Sequence, residues 1–169
     1  MLRRALRRIY TVCGYAAAAF LVAIAAVTLL QVVARQAGVA IETIEVAGFC
    51  LAASTFLGLA HTFVNGAHVR VSLVSQSVPP AVRRWIELWC CAVGFAVVAY
   101  AAWNMALYTL ESWQFGDISP GLAAVPFWIP QLGVAVGMIV MAIGILEQAT
   151  LVWIGEEPDY AQSSDAAME

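Results

Sequence analysis

Residues 9–33 read IYTVCGYAAAAFLVAIAAVTLLQVV, 25 positions without a charged side chain. The hydrocarbon core of a bilayer is about 30 Å thick, and a helix rising about 1.5 Å per residue needs roughly 20 apolar residues to cross it. This run has that length and shows no two-residue alternation, so it reads as a transmembrane helix and not as a barrel strand. Three more stretches pass the same test. The predicted spans cover residues 9–34, 45–64, 82–112 and 127–154, within one membrane domain over residues 1–155. The connectors hold residues that end or interrupt helices: Gly38, Gly66, Pro79, Pro80, Pro120 and Gly121. The expected fold is an all-α integral membrane protein of four transmembrane helices, followed by an acidic, disordered tail over residues 156–169.

Composition supports lipid as the solvent. The chain has 169 residues, 63% hydrophobic and 11% charged, with a mean hydropathy of +0.85, whereas a soluble domain carries about a quarter charged residues. All eight basic residues are arginine, and they are divided among separate segments with no extended basic face, so nucleic acid is not an expected partner. Arg3, Arg4, Arg7 and Arg8 precede the first apolar run as they would in a secretory signal. That run is about twice the length of a signal core, and no small-residue cleavage site follows it, so a retained first span is expected.

With an even number of spans, both termini and the second connector share one side of the membrane. That side holds Arg3, Arg4, Arg7, Arg8, Arg70, Arg83 and Arg84, and the other holds only Arg35. This bias predicts cytoplasmic termini. Trp113 and Trp128 then mark the outer interface, and Trp85, Trp89 and Trp153 the inner one. The third stretch, at 31 residues, would reach about 46 Å. It is expected to tilt strongly or to begin as an interfacial helix carrying Arg83, Arg84 and Glu87.

Charged groups inside spans are costly and usually functional. Glu42 and Glu45 lie three apart, on one face of the start of the second helix, and can pair with Arg35 across the short connector. Two readings stay open: acidic groups favouring the helix dipole, or a polar contact with a partner subunit. Counted from Trp128, Glu147 falls near the inner headgroups, as Glu87 does, and both are expected to be interface charges near Arg83 and Arg84. No carboxylate reaches mid-membrane by this count, which weighs against autonomous ion-coupled transport.

The two histidines, His61 and His68, fall on one segment and its exit, not on facing helices as a transmembrane haem requires. Cys13, Cys50, Cys90 and Cys91 form no C-x-x-C pair and read as small packing residues. No phosphate loop or nucleophile constellation is present, and neither an enzyme nor a cofactor or metal site is expected. The glycines Gly133 and Gly137 form a G-x-x-x-G that argues close helix packing without naming a partner.

The most distinctive text begins at the second span: Glu42-Thr-Ile-Glu45, Phe56-Leu-Gly58-Leu-Ala60, then Gly66-Ala-His68-Val-Arg70-Val-Ser72, and Pro79-Pro80 before Arg83-Arg84. Asp117-Ile-Ser119-Pro and Pro126-Phe-Trp128-Ile-Pro130 follow at the entry to the fourth span. In order and spacing this resembles the small membrane subunit of tripartite ATP-independent periplasmic (TRAP) transporters, the DctQ-like family. Ser72 departs from the pattern, where many members carry aspartate, which withdraws support from any role resting on that carboxylate.

The resemblance implies a bacterial inner-membrane, multi-pass subunit with no cofactor of its own. It would scaffold a large permease subunit that carries an organic anion, driven by a sodium gradient coupled in that larger subunit. A periplasmic substrate-binding protein delivers the anion, and lipids surround the assembly. Arg35, Glu42 and Glu45 are candidates for the outer contact surface, and His68 and Arg70 for ordering the inner connector. Two other classes compete, a small autonomous four-helix transporter and a membrane redox protein. Transport by the purified chain alone, or a haem spectrum, would favour them.

Overall fold

The computed structural model describes residues 2–65, 79–121 and 123–155. His68, Arg70, Ser72 and the tail over residues 156–169 lie outside the described residues. Four long apolar helices make up the fold: α1 (Leu2–Gln36), α2 (Ile44–Val64), α3 (Pro80–Phe115) and α4 (Trp128–Ile154). Each is long and apolar enough to cross a membrane.

The helix α1 starts well before the apolar run. Arg3, Arg4, Arg7 and Arg8 continue it, because arginine, leucine and alanine are good helix formers and nothing interrupts them before Gly38. Gly38 then adopts φ +77, and the amides of Gly38 and Val39 close back on the carbonyls of Arg35 and Ala34, which ends the helix. The helix α3 is one uninterrupted rod of 36 residues, or about 54 Å. Pro80 occupies its first turn, where the missing N–H has no intrahelical role, and Gly116 at φ +68 terminates it. No break divides Pro80–Phe115 into an interfacial piece and a span.

The helices pack in the order α1, α2, α4, α3, more like a row than a closed four-cornered bundle. The main contacts are α1 with α2, α2 with α4 and α4 with α3, while α1 meets α4 only over a short stretch. Glycines set the approach at the centre of the row. A Cβ on Gly137 would run into the backbone of Phe56 and Leu57, and one on Gly133 would lie 3.3 Å from the Ala53 methyl. Contacts at successive levels (Phe49 with Phe127, Ala53 with Gly133, Phe56 with Gly137, Val64 with Gly144) show α2 and α4 running parallel. The described chain ends therefore share one end of the molecule, the terminal end. The 37–43 and 116–127 connectors share the other, the loop end.

Without a hydrophobic drive between helices in lipid, association rests on close packing and a few interhelical hydrogen bonds. Ser54, buried on α2, donates to the Ala17 carbonyl of α1 at 2.9 Å, and Gly58 one turn along faces the Ala17 methyl. Farther toward the terminal end, Gly14 leaves just enough room for the His61 ring. The core gathers Tyr10, Cys13 and Ala17 of α1, Leu57, Ala60 and Val64 of α2, and Met141 and Ile145 of α4.

Candidate functional site

At the loop end, the acidic pair does not form as the sequence predicts. The helix α2 starts at Ile44, so Glu42 lies in the connector, exposed, and does not share a helical face with Glu45. Arg35, in the last turn of α1, is also exposed and makes no ion pair with either glutamate. The reason is Thr43. Its buried hydroxyl donates to Gln31 Oε1 at 2.6 Å, tying the connector to α1 through a neutral bond and leaving both charged neighbours outside it.

Glu45 points the other way, into the 116–127 connector. That segment folds back on itself: the Ser119 amide donates to the Val125 carbonyl at 2.9 Å, and the Phe127 amide to the Asp117 carbonyl at 3.0 Å. The fold-back sets Gly121 directly against the Glu45 carboxylate, so that any side chain at 121 would collide with it. Glu45 Oε2 is thereby closed off from solvent and has no hydrogen-bond partner among the described residues. Phe49, one turn along α2, meets Phe127 edge to face with centroids 6.2 Å apart, which fixes the connector on α2 and α4.

At the terminal end, Glu147 is part-buried and turned toward α1, and it does not pair with Arg83 or Arg84. Tyr10 of α1, almost fully buried, donates its hydroxyl to Glu147 Oε2 at 2.7 Å, and Oε1 is buried without a partner among the described residues. A count along the chain places Glu147 in the last third of α4 but does not give its direction around that helix. Gln148, completely buried, lies next to it. Glu87 does stand by an arginine, accepting from Arg83 Nε at 3.1 Å one turn earlier on the same helix. Arg84 reaches instead to the Trp153 carbonyl and satisfies the open end of α4.

Sequence reasoning missed Tyr10, Gln31, Ser54 and Gln148. Tyr10 and Glu147 are 137 positions apart, and no local pattern announces such a contact. His61 packs on Gly14 and adjoins the Asn65 amide. Trp85, Trp89 and Trp153 are exposed at the terminal end and Trp113 at the loop end, where Trp128 is half-buried. All four cysteines are free, and among the described residues no three His, Cys, Asp or Glu side chains converge on a metal-sized site. The buried polar groups are thus devices that hold helices and connectors together.

A family model described as the DctQ component of tripartite ATP-independent periplasmic transporters matches residues 24–154, from the middle of α1 to the end of α4. No curated protein matches the chain. The match covers most of the sequence, and the chain belongs to the DctQ family.

Proposed function

We propose that this DctQ-family chain is the scaffolding small subunit of a TRAP transporter, fixing the depth and register of a large permease subunit in the bacterial inner membrane. The observation that carries the proposal is the row of helices. Both end helices, α1 and α3, keep broad apolar faces open over nearly their whole length, while the polar groups between helices are spent on internal contacts. A subunit whose partner slides a transport domain needs fixed surfaces and anchors, and these are what the chain supplies. The sodium-coupled movement of an organic anion then belongs to the large subunit, and a periplasmic binding protein delivers that anion.

In this reading the arginine-rich terminal end faces the cytoplasm and the loop end the periplasm. The rod α3, about 54 Å against a core of about 30 Å, tilts or projects beyond the headgroups. At the loop end Glu45, Gly121 and the 116–127 fold-back form a shaped surface, with Arg35 and Glu42 exposed at its edge.

Affinity purification from the native membrane in mild detergent tests the proposal. A large multispan protein should come with the chain, and its absence across several detergents would refute the scaffold role. Glu45→Ala, which frees the connector over Gly121, should lower assembly or anion uptake. Unchanged uptake at normal expression removes Glu45 from the contact surface.

A further inference from the structure

The open side of α3 is apolar over most of its length, with Val93, Val97, Trp103 and Leu110 exposed, but it carries one polar stripe. Cys91, Ala102, Thr109 and Ser112 are its buried residues and fall on one side, against α4. About 140° around the helix, at about 100° per residue, lies a second stripe: Tyr100, Asn104, Leu107, Tyr108 and Glu111. Tyr100 and Tyr108 are 73% and 59% exposed, and Glu111 is exposed. Asn104, half-buried, donates one amide hydrogen to the carbonyl of Tyr100 at 2.8 Å, which leaves its Oδ1 and its second N–H for other partners. Neither tyrosine hydroxyl nor the Glu111 carboxylate has a partner among the described residues.

Depth makes this pattern informative. Trp128 and Trp153 bracket α4, so its midpoint falls near Val140. The helix α3 runs antiparallel to it, with Gly94 facing Ile145, so the same level on α3 is close to position 99. At about 1.5 Å per residue, Tyr100 lies about 2 Å and Asn104 about 8 Å from the mid-plane, both inside a core of about 30 Å. Tyr108 lies near the edge of the core and Glu111 just past it. Polar side chains at such depths normally face protein. The open face of α1 is more apolar, with Val22, Leu29 and Val33 exposed and Thr28 satisfied by its own helix at the Ile24 carbonyl, although it too carries one exposed tyrosine, Tyr15.

We infer that the stripe from Tyr100 to Glu111 is the docking surface for a transmembrane helix of the large permease subunit. The occupant presents hydroxyl or amide donors at mid-membrane and an arginine or lysine at the level of Glu111. Charge decides against a second copy of this chain, since a two-fold axis along the membrane normal would set Glu111 against Glu111. The inference rests on the scaffold reading and locates its contact.

The test uses cells expressing the complete transporter, with a tag on this chain and a photoreactive benzoylphenylalanine in place of Asn104. Illumination should give an adduct with the large subunit. The double variant Tyr100→Phe/Asn104→Leu should lower recovery of the large subunit about ten-fold, at about three-fold per interhelical hydrogen bond. The stability of the purified small subunit should change little, because neither side chain makes a hydrogen bond to another helix among the described residues. If the large subunit co-purifies but position 104 labels only lipid or a second copy, or the double variant recovers it in full, the stripe is not the interface and the scaffold reading stands. If the unsubstituted chain recovers no large subunit, both fall together.

Discussion

Gly137→Ala probes the closest glycine-mediated approach of two helices among the described residues. A methyl carbon there would sit 2.8 Å from the Leu57 amide nitrogen and inside the carbonyl of Phe56, whereas non-bonded carbons rest about 3.5–4.0 Å apart. The obstacle is backbone, so no rotamer can absorb it, and α2 must retreat from α4 by about 1 Å. A gap of that size forfeits up to about half of each dispersion contact it opens, including those flanking at Ala53 with Gly133 and at Val64 with Gly144. Overpacking costs about 1–3 kcal/mol, and an unyielding neighbour puts this site at the upper end. Alanine regains about 1 kcal/mol of helix propensity over glycine. The net loss is about 2 kcal/mol, or roughly thirty-fold in the folded-to-unfolded ratio. Reversible unfolding in mixed micelles titrated with SDS, followed by circular dichroism, measures it. Gly48→Ala is the control: nothing lies within 4 Å of its added carbon, so only the propensity gain of about 1 kcal/mol remains. If both variants unfold at the same SDS fraction, the close approach of α2 and α4 is not what holds the centre of the row.

The other internal contacts give smaller, separable effects. Tyr10→Phe removes the donor to Glu147 and leaves a buried carboxylate short of a partner, for a loss of about 1–2 kcal/mol in the same titration. Glu147→Gln keeps an acceptor for Tyr10 and should lose less. Ser54→Ala deletes the bond from α2 to the Ala17 carbonyl; interhelical bonds in membranes average about 0.6 kcal/mol, so the loss should be near that and below about 1.7. Gly121→Ala forces the Glu45 carboxylate and the 116–127 connector apart. Limited proteolysis should then cut that connector faster, while the SDS midpoint moves by less than for Gly137→Ala.

Hydrophobic length was enough to find all four helices, because a bilayer of fixed thickness imposes a minimum run on any helix that crosses it. The helix ends were less legible. The start of α1 at Leu2 was hidden because charged arginines belong to a helix as readily as apolar residues do, and hydropathy sees only the apolar part. The acidic pair misled for a related reason. Spacing places Glu42 and Glu45 on one face only if both are helical, and Thr43, held by Gln31, starts the helix between them.

The sequence alone determined the four long apolar helices of this protein and its family, since each is written in local composition or in short motifs along one strand of text. Only the tertiary structure decided which helix stands beside which. Glu147 shows the difference: its place in the last third of α4 follows from a count along the chain, but its rotation toward Tyr10 comes from the packing of α1 on α2 and α4. The stripe on α3 shows it too. Tyr100 and Glu111 are readable as polar residues in a span, but that they are exposed follows from the row, in which α4 is the main neighbour of α3 among the described residues. Side-chain direction is a relation between helices, and a chain read one residue at a time does not contain it.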